Sequence, residues 1–142
     1  MAQRGITFKE NILSVTHSTA SRDLATNAVV DQLDGAGSKL VFRLTGTVGS
    51  PGAAVATLVM ATPAFGASST GTATAGAIAS DTNATGNASA VATASLQTSG
   101  DVLAIHCAVT AASGDINMSN GLTVASGDTV STSSLTYTAL SA

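Results

Sequence analysis

Residues 100–142 alternate large apolar side chains with small or polar ones at a period of two, and this restricts the chain to extended strands more firmly than any other feature. In 101–110, Leu103, Ile105, Cys107 and Val109 fall on one face of an extended chain and Val102, Ala104, His106 and Ala108 on the other. Leu122 and Val124 begin a second alternation, and Leu135, Tyr137 and Ala139 form a third against Thr136 and Thr138, with Thr, Val and Tyr favouring strand. Between these runs Ser-Gly-Asp recurs at 99–101, 113–115 and 126–128. Gly tolerates positive φ and Asp bonds neighbouring backbone, so each tripeptide predicts a turn, and the segment predicts a meander or Greek-key half of a sandwich.

The earlier chain extends the same pattern. Residues 38–45 predict a strand in which Leu40, Phe42 and Leu44 alternate with Lys39, Val41 and Arg43. The two cations fit an edge strand, where they discourage stray pairing. Residues 46–52 form a Gly-rich loop without the Gly-Lys-Ser/Thr ending of a phosphate cradle. Residues 53–62 predict a strand covered on both faces, and 72–78 and 88–96 predict weak strands around a loop at 79–87. A single helix is predicted at 21–34, capped by Ser21, with Asp23 in its first turn, a face of Leu24, Ala28, Val29 and Leu33, and a stop at Gly35 and Gly37. The expected fold is all-β, a mainly antiparallel sandwich or jelly-roll-like domain over 21–142, with one short N-terminal helix and an extended N-terminal arm over 1–20.

Composition bears on how such a domain holds together. Of the 142 residues 44% are apolar, but only 3% are aromatic and 9% charged, and the net charge is −3. This hydrophobicity is too high for disorder, yet a core of Ala and Thr buries little area per residue, so an isolated subunit is expected to be marginally stable. Low charge leaves little repulsion between copies, and a homo-oligomer is expected. Residues 1–10 lack the apolar run of a secretion signal, so synthesis and assembly in a cytoplasm are expected.

Residues 1–15 carry Ile6, Phe8, Ile12, Leu13 and Val15, a denser set of large apolar side chains than residues 72–96. Ile6 and Phe8 alternate with Thr7 and Lys9 as in a short strand. These five apolar residues are the candidate partner-binding site, an arm that docks on a neighbouring subunit or the shell beneath, with packing of Ile12, Leu13 and Val15 beneath the helix of their own subunit as the alternative.

Catalysis finds few groups to work with. Cys107 is the single cysteine, which excludes an internal disulfide and a Cys-based zinc site. Its place on the apolar face predicts burial. His106 is adjacent in sequence but points to the opposite face, which disfavours a Cys-His dyad, and His17 lies in the arm. Asp101, Asp115 and Asp128 read as turn formers or as Ca²⁺ ligands, and no EF-hand or Gly-Gly-x-Gly-x-Asp repeat favours the latter. Five basic against eight acidic residues give no footprint for nucleic acid, and no run approaches a membrane span. No enzyme activity, cofactor, metal, nucleic-acid or membrane partner is expected.

A helix ending in Gly, the strand Lys39-Leu40-Val41-Phe42-Arg43, an Ala/Thr/Ser-rich middle and the closing Asp115-Ile116-Asn117-Met118-Ser119, Gly127-Asp128-Thr129-Val130-Ser131 and Ser134-Leu135-Thr136-Tyr137-Thr138-Ala139 resemble a group of small virion proteins of tailed bacteriophages. The resemblance covers 21–142 and is most specific over 115–139. It implies a structural protein without catalytic residues, located in the virion and assembled in the bacterial cytoplasm. On this footing the chain is expected to be a capsid decoration or minor capsid protein, a trimer that contacts the major capsid protein or other virion subunits. A tail, baseplate or fibre component with a receptor-binding or assembly role is the alternative.

Overall fold

A computed structural model describes residues 16–139. The protein is mostly β, with a mixed six-stranded sheet and one short helix. Helix α1 spans Thr19–Val30 and runs into a 3-10 turn at Asp31–Leu33. The strands are β1 Lys39–Arg43, β2 Gly46–Thr47, β3 Ser50–Pro51, β4 Ala54–Met60, β5 Thr72–Thr74, β6 Ile78–Ala79, β7 Thr93–Gln97, β8 Leu103–Thr110, β9 Ile116–Asn117 and β10 Thr136–Thr138. The sheet order is β6-β4-β1-β7-β8-β9, antiparallel throughout except for the parallel β8–β9 pair. β2 and β3 form the tip of the β1–β4 hairpin, and β10 pairs with β5 outside the sheet.

Strand register places the core on one face. Leu40 lies between Leu58 and Leu96, with Ile105 beyond Leu96. Phe42 lies between Ala56 and Ala94, with Cys107 beyond Ala94. The alanines leave room for the phenyl ring in a row that larger neighbours would overfill. Val30 and Leu33 reach this core from the helix end, and Val91, Val124 and Val130 reach it from the covering segments.

The cover is an irregular antiparallel ribbon. Residues 122–138 run back along 91–72 through Val91 N–H to Leu122 O, Asn87 N–H to Val124 O, Ala84 N–H to Asp128 O, the Asp81–Val130 bridge, Ala75 N–H to Leu135 O, and the β5–β10 pairs. Few of these residues count as regular strand, but the pairing satisfies backbone groups that would otherwise be buried without partners.

Several expectations are corrected by this arrangement. The helix begins at Thr19 with Ser18 as its cap, whose Oγ accepts from Ser21 N–H at 3.2 Å, so residues 19 and 20 belong to the helix and not to the arm. Its buried face is Thr26, Val30 and Leu33, not Leu24, Ala28 and Val29, and Leu24 is 72% exposed. Polar anchoring fixes that rotation. Asp23 Oδ1 accepts from Ser68 Oγ–H at 2.8 Å and Gly71 N–H at 2.7 Å, and Thr26 Oγ1 donates to Gly71 O at 2.7 Å and accepts from Ala139 N–H at 3.1 Å.

β1 is a central strand, so Lys39 and Arg43 guard no edge. The β4 face that carries Val59 is open, and this residue is 46% exposed. A register shift in β8 pairs Leu103 with Gln97 and Ile105 with Leu96, which turns Leu103 away from the core. Leu122 and Val124 lie in the ribbon and not in a regular strand, and the parallel β9 departs from an antiparallel meander. Residues 99–101, 113–115 and 126–128 are turns, as expected.

Because Phe42 fills the space left by Ala56 and Ala94, Phe42→Ala is expected to cost about 3–5 kcal/mol, measured by urea unfolding.

Candidate functional site

The face of the sheet turned away from the core carries the main polar constellation. Lys39, Val41 and Arg43 of β1 point there, between Val59 and Thr57 of β4 and Gln97, Ser95 and Thr93 of β7. Ser95 and Gln97 are 0% and 3% exposed, so their polar atoms must find partners within the protein. The Arg43 guanidinium supplies them. Its Nε donates to Ser95 Oγ at 3.0 Å, Nη2 to Gln97 Oε1 at 2.9 Å and Nη1 to Gly52 O at 2.6 Å. Gln97 Nε2 then donates to Asp101 Oδ1 at 2.6 Å, which also accepts from Lys39 Nζ at 3.0 Å. The Lys39 hydrogen bond and its charge, with help from Gln97, hold the Asp101 carboxyl below its ordinary range. A groove of about 340 Å³ runs over Val41 between Lys39, Arg43, Thr57 and Leu103.

The network is self-satisfied. Its arginine spends all three nitrogens on fixed partners, its aspartate is ion-paired, and no nucleophile stands beside a base. Such an arrangement positions the β1–β4 hairpin over the sheet, because Arg43 binds Gly52 and His106 Nε2 lies 3.1 Å from Gly46 O. A carbonyl accepts, so His106 Nε2 carries the hydrogen, and its buried Nδ1 has no partner among the described residues.

Cys107 lies on the core face, opposite to His106, and the two form no dyad. Burial, with a contribution from the Asp115 charge, pushes its thiol up to about 11. The remaining turn aspartates bond their own backbone. Asp115 Oδ2 accepts from Ala108 N–H at 2.8 Å, and Asp128 Oδ2 from Ala125 N–H at 2.8 Å. Among the described residues no group of three or more His, Cys, Asp and Glu side chains is placed to hold a metal ion. His17 is exposed ahead of the helix. Ile6, Phe8, Ile12, Leu13 and Val15 lie outside the described residues.

A second, wider hollow of about 470 Å³ opens between β9 and the ribbon, with Leu40, Phe42 and Val130 toward its floor and Asn120, Thr132 and Ser134 at its walls. Besides neutral hydroxyls and amides its lining includes Asp115 and Asp128, and one carboxylate oxygen of each is engaged by a backbone N–H, of Ala108 and Ala125 respectively. Sequence pattern had marked the Lys39/Arg43 face as cationic. It missed Ser95 and Gln97, whose only signal was that β7 would lie beside β1. No family model, curated protein or solved structure matches the chain.

Two outcomes test this chemistry. Gln97→Ala leaves Arg43 Nη2 and Asp101 short of a partner and is expected to destabilise by about 1–3 kcal/mol in denaturant titration. The folded state holds the Cys107 thiol protonated, so this contribution to stability is complete below the ordinary thiol value of 9.0 and is lost as the pH rises to about 11. Thermal melts across that window are expected to show a decline that Cys107→Ala reduces.

Proposed function

We propose that the chain is a non-enzymatic bacteriophage virion structural protein, a capsid decoration or minor capsid subunit that stabilises the head. The observation that carries this reading is the role of residues 115–139, where the resemblance to phage virion proteins is most specific. Asp115 and Asp128 brace turns, Val124 and Val130 plug the core, and Thr136–Thr138 pair with β5. These residues therefore work as architecture, which is what a structural subunit requires of its most characteristic segment.

The surface supports the same reading. The ribbon exposes mainly Ala, Ser, Thr, Asn and Gly, which pack flat against a neighbour with little desolvation of charge. In this reading the ribbon is the second layer of a jelly-roll-like sandwich, and the subunit forms a trimer that bridges copies of the major capsid protein. Each bridge adds buried area that favours the closed shell over its parts.

Quantitative mass spectrometry of purified virions, with gold labelling of the tagged protein, tests the assignment. Many copies spread over the head are expected. Label confined to the tail or its tip would replace the assignment with a tail, baseplate or fibre role, and absence from particles would overturn both.

A further inference from the structure

Among the described asparagines the fold restrains all but one. Asn27 Oδ1 accepts from Ser68 N–H at 2.8 Å, Asn87 Oδ1 from Ser89 N–H at 2.9 Å, and Asn117 Oδ1 from Gly114 N–H at 3.0 Å. Asn83 makes no such bond, but the next peptide nitrogen, that of buried Ala84, donates to Asp128 O at 3.0 Å. Asn120 differs on both counts. It is exposed in the turn that links β9 to the ribbon, and among the described residues neither its side chain nor the Gly121 N–H has a hydrogen-bond partner.

The residue that follows sharpens the contrast. Asn27, Asn83 and Asn87 precede alanine and Asn117 precedes methionine, whereas Asn120 precedes glycine. Gly121 adopts a φ of +99°, a region that side chains oppose, and the point where its Cβ would stand has no heavy atom of a non-adjacent residue within 4 Å. The Gly121 nitrogen is therefore open to the carboxamide one residue before it, with no hydrogen bond, side chain or packed neighbour in the way.

We propose that Asn120 is a site of spontaneous modification, at which its carboxamide cyclises onto the Gly121 nitrogen and then opens to aspartate and isoaspartate. The Gly121 nitrogen gives up its proton to solvent and bonds to Asn120 Cγ, and the bond from Cγ to Nδ2 breaks to release ammonia. This closes a succinimide ring. Water then opens it: breaking the ring bond from nitrogen to Cγ leaves aspartate, and breaking the bond to the main-chain carbonyl carbon leaves isoaspartate. Solvent supplies every other reactant.

The position of the turn gives both products a structural effect. Asn120 stands at the wall of the hollow between β9 and the ribbon, which Asp115 and Asp128 also line, so either product sets a further carboxylate there. The chain already has a net charge of −3, and the modification makes it more negative. Isoaspartate also lengthens the main chain between two anchored points. Met118 N–H donates to Thr110 O at 2.9 Å on one side of the turn, and Leu122 O accepts from Val91 N–H at 2.8 Å on the other. The charge of the hollow and the link between β9 and the ribbon thus change with the age of the chain.

Purified full-length protein aged at mildly alkaline pH, then digested under acidic conditions and mapped by mass spectrometry, tests the proposal. Conversion at Asn120 is expected ahead of every other asparagine, slower at mildly acidic pH, with isoaspartate exceeding aspartate and an acidic species growing on ion exchange. An Asn120→Asp chain marks where the aspartate product elutes. An Asn120→Gln chain, whose longer side chain closes the equivalent ring far more slowly, is expected to lack the acidic species over the same interval. A free peptide of residues 115–125 sets the unrestrained rate, and Asn120 in the folded chain is expected to convert within a few-fold of it. Intact Asn120 after the peptide has converted, another asparagine converting first, or an equal acidic species from Asn120→Gln would each overturn the proposal.

Discussion

The pairing of residues 122–138 along 91–72 is the constraint on which the rest of the structure depends. Leu40, Phe42, Leu58 and Leu96 form a continuous apolar face on the sheet, and a sheet with one bare apolar face is not stable in water. The ribbon covers that face with Val91, Val124 and Val130, and its end at Ala139 is tied to Thr26 of the helix. Helix, sheet and C-terminal segment thus close on one another through contacts that are remote in sequence. Such contacts carry a loop-closure cost before they stabilise anything, which predicts slow folding relative to a chain with local pairings.

The core under the ribbon shows how a chain with few aromatic residues reaches close packing. Phe42 is set between alanines, so that large and small side chains alternate across strands in that row, whereas Leu40 lies in a row of leucines. The abundance of alanine is therefore a matching condition for one ring as well as a source of thin packing. Small hydroxyl side chains that are fully buried donate to backbone carbonyls, as Thr26 does to Gly71 O and Ser38 to Gly35 O.

The opposite face solves a different problem with a single arginine. Ser95 and Gln97 are buried on a sheet face that has no hydrophobic cover, and Arg43 bonds to both while binding the hairpin through Gly52. A planar donor with fixed nitrogens suits this task better than a lysine, which would satisfy fewer acceptors with less directional control. The network specifies how the hairpin lies on the sheet, and its charges are balanced locally by Asp101. A face so arranged has stability and register as its immediate products.

By itself the sequence determined the local elements: the strands at Lys39–Arg43, Ala54–Met60 and Leu103–Thr110, the Ser-Gly-Asp turns and the presence of one helix near the start. These follow from alternation, capping and turn chemistry within a few residues, and such forces are legible without a fold. Tertiary structure alone decided that β1 is central, that Thr26 and not Leu24 faces inward, that Leu103 turns away from the core and that 122–138 lies along 91–72. Each depends on partners brought together from distant positions. Thr26 looks like a surface residue until Gly71 O and Ala139 N–H are placed beside it, and Arg43 looks like an edge guard until Ser95 and Gln97 arrive on β7. Periodicity records which residues share a face of their own strand or helix, whereas hydrogen-bond satisfaction and strand order determine what that face meets, and those are properties of the assembled sheet.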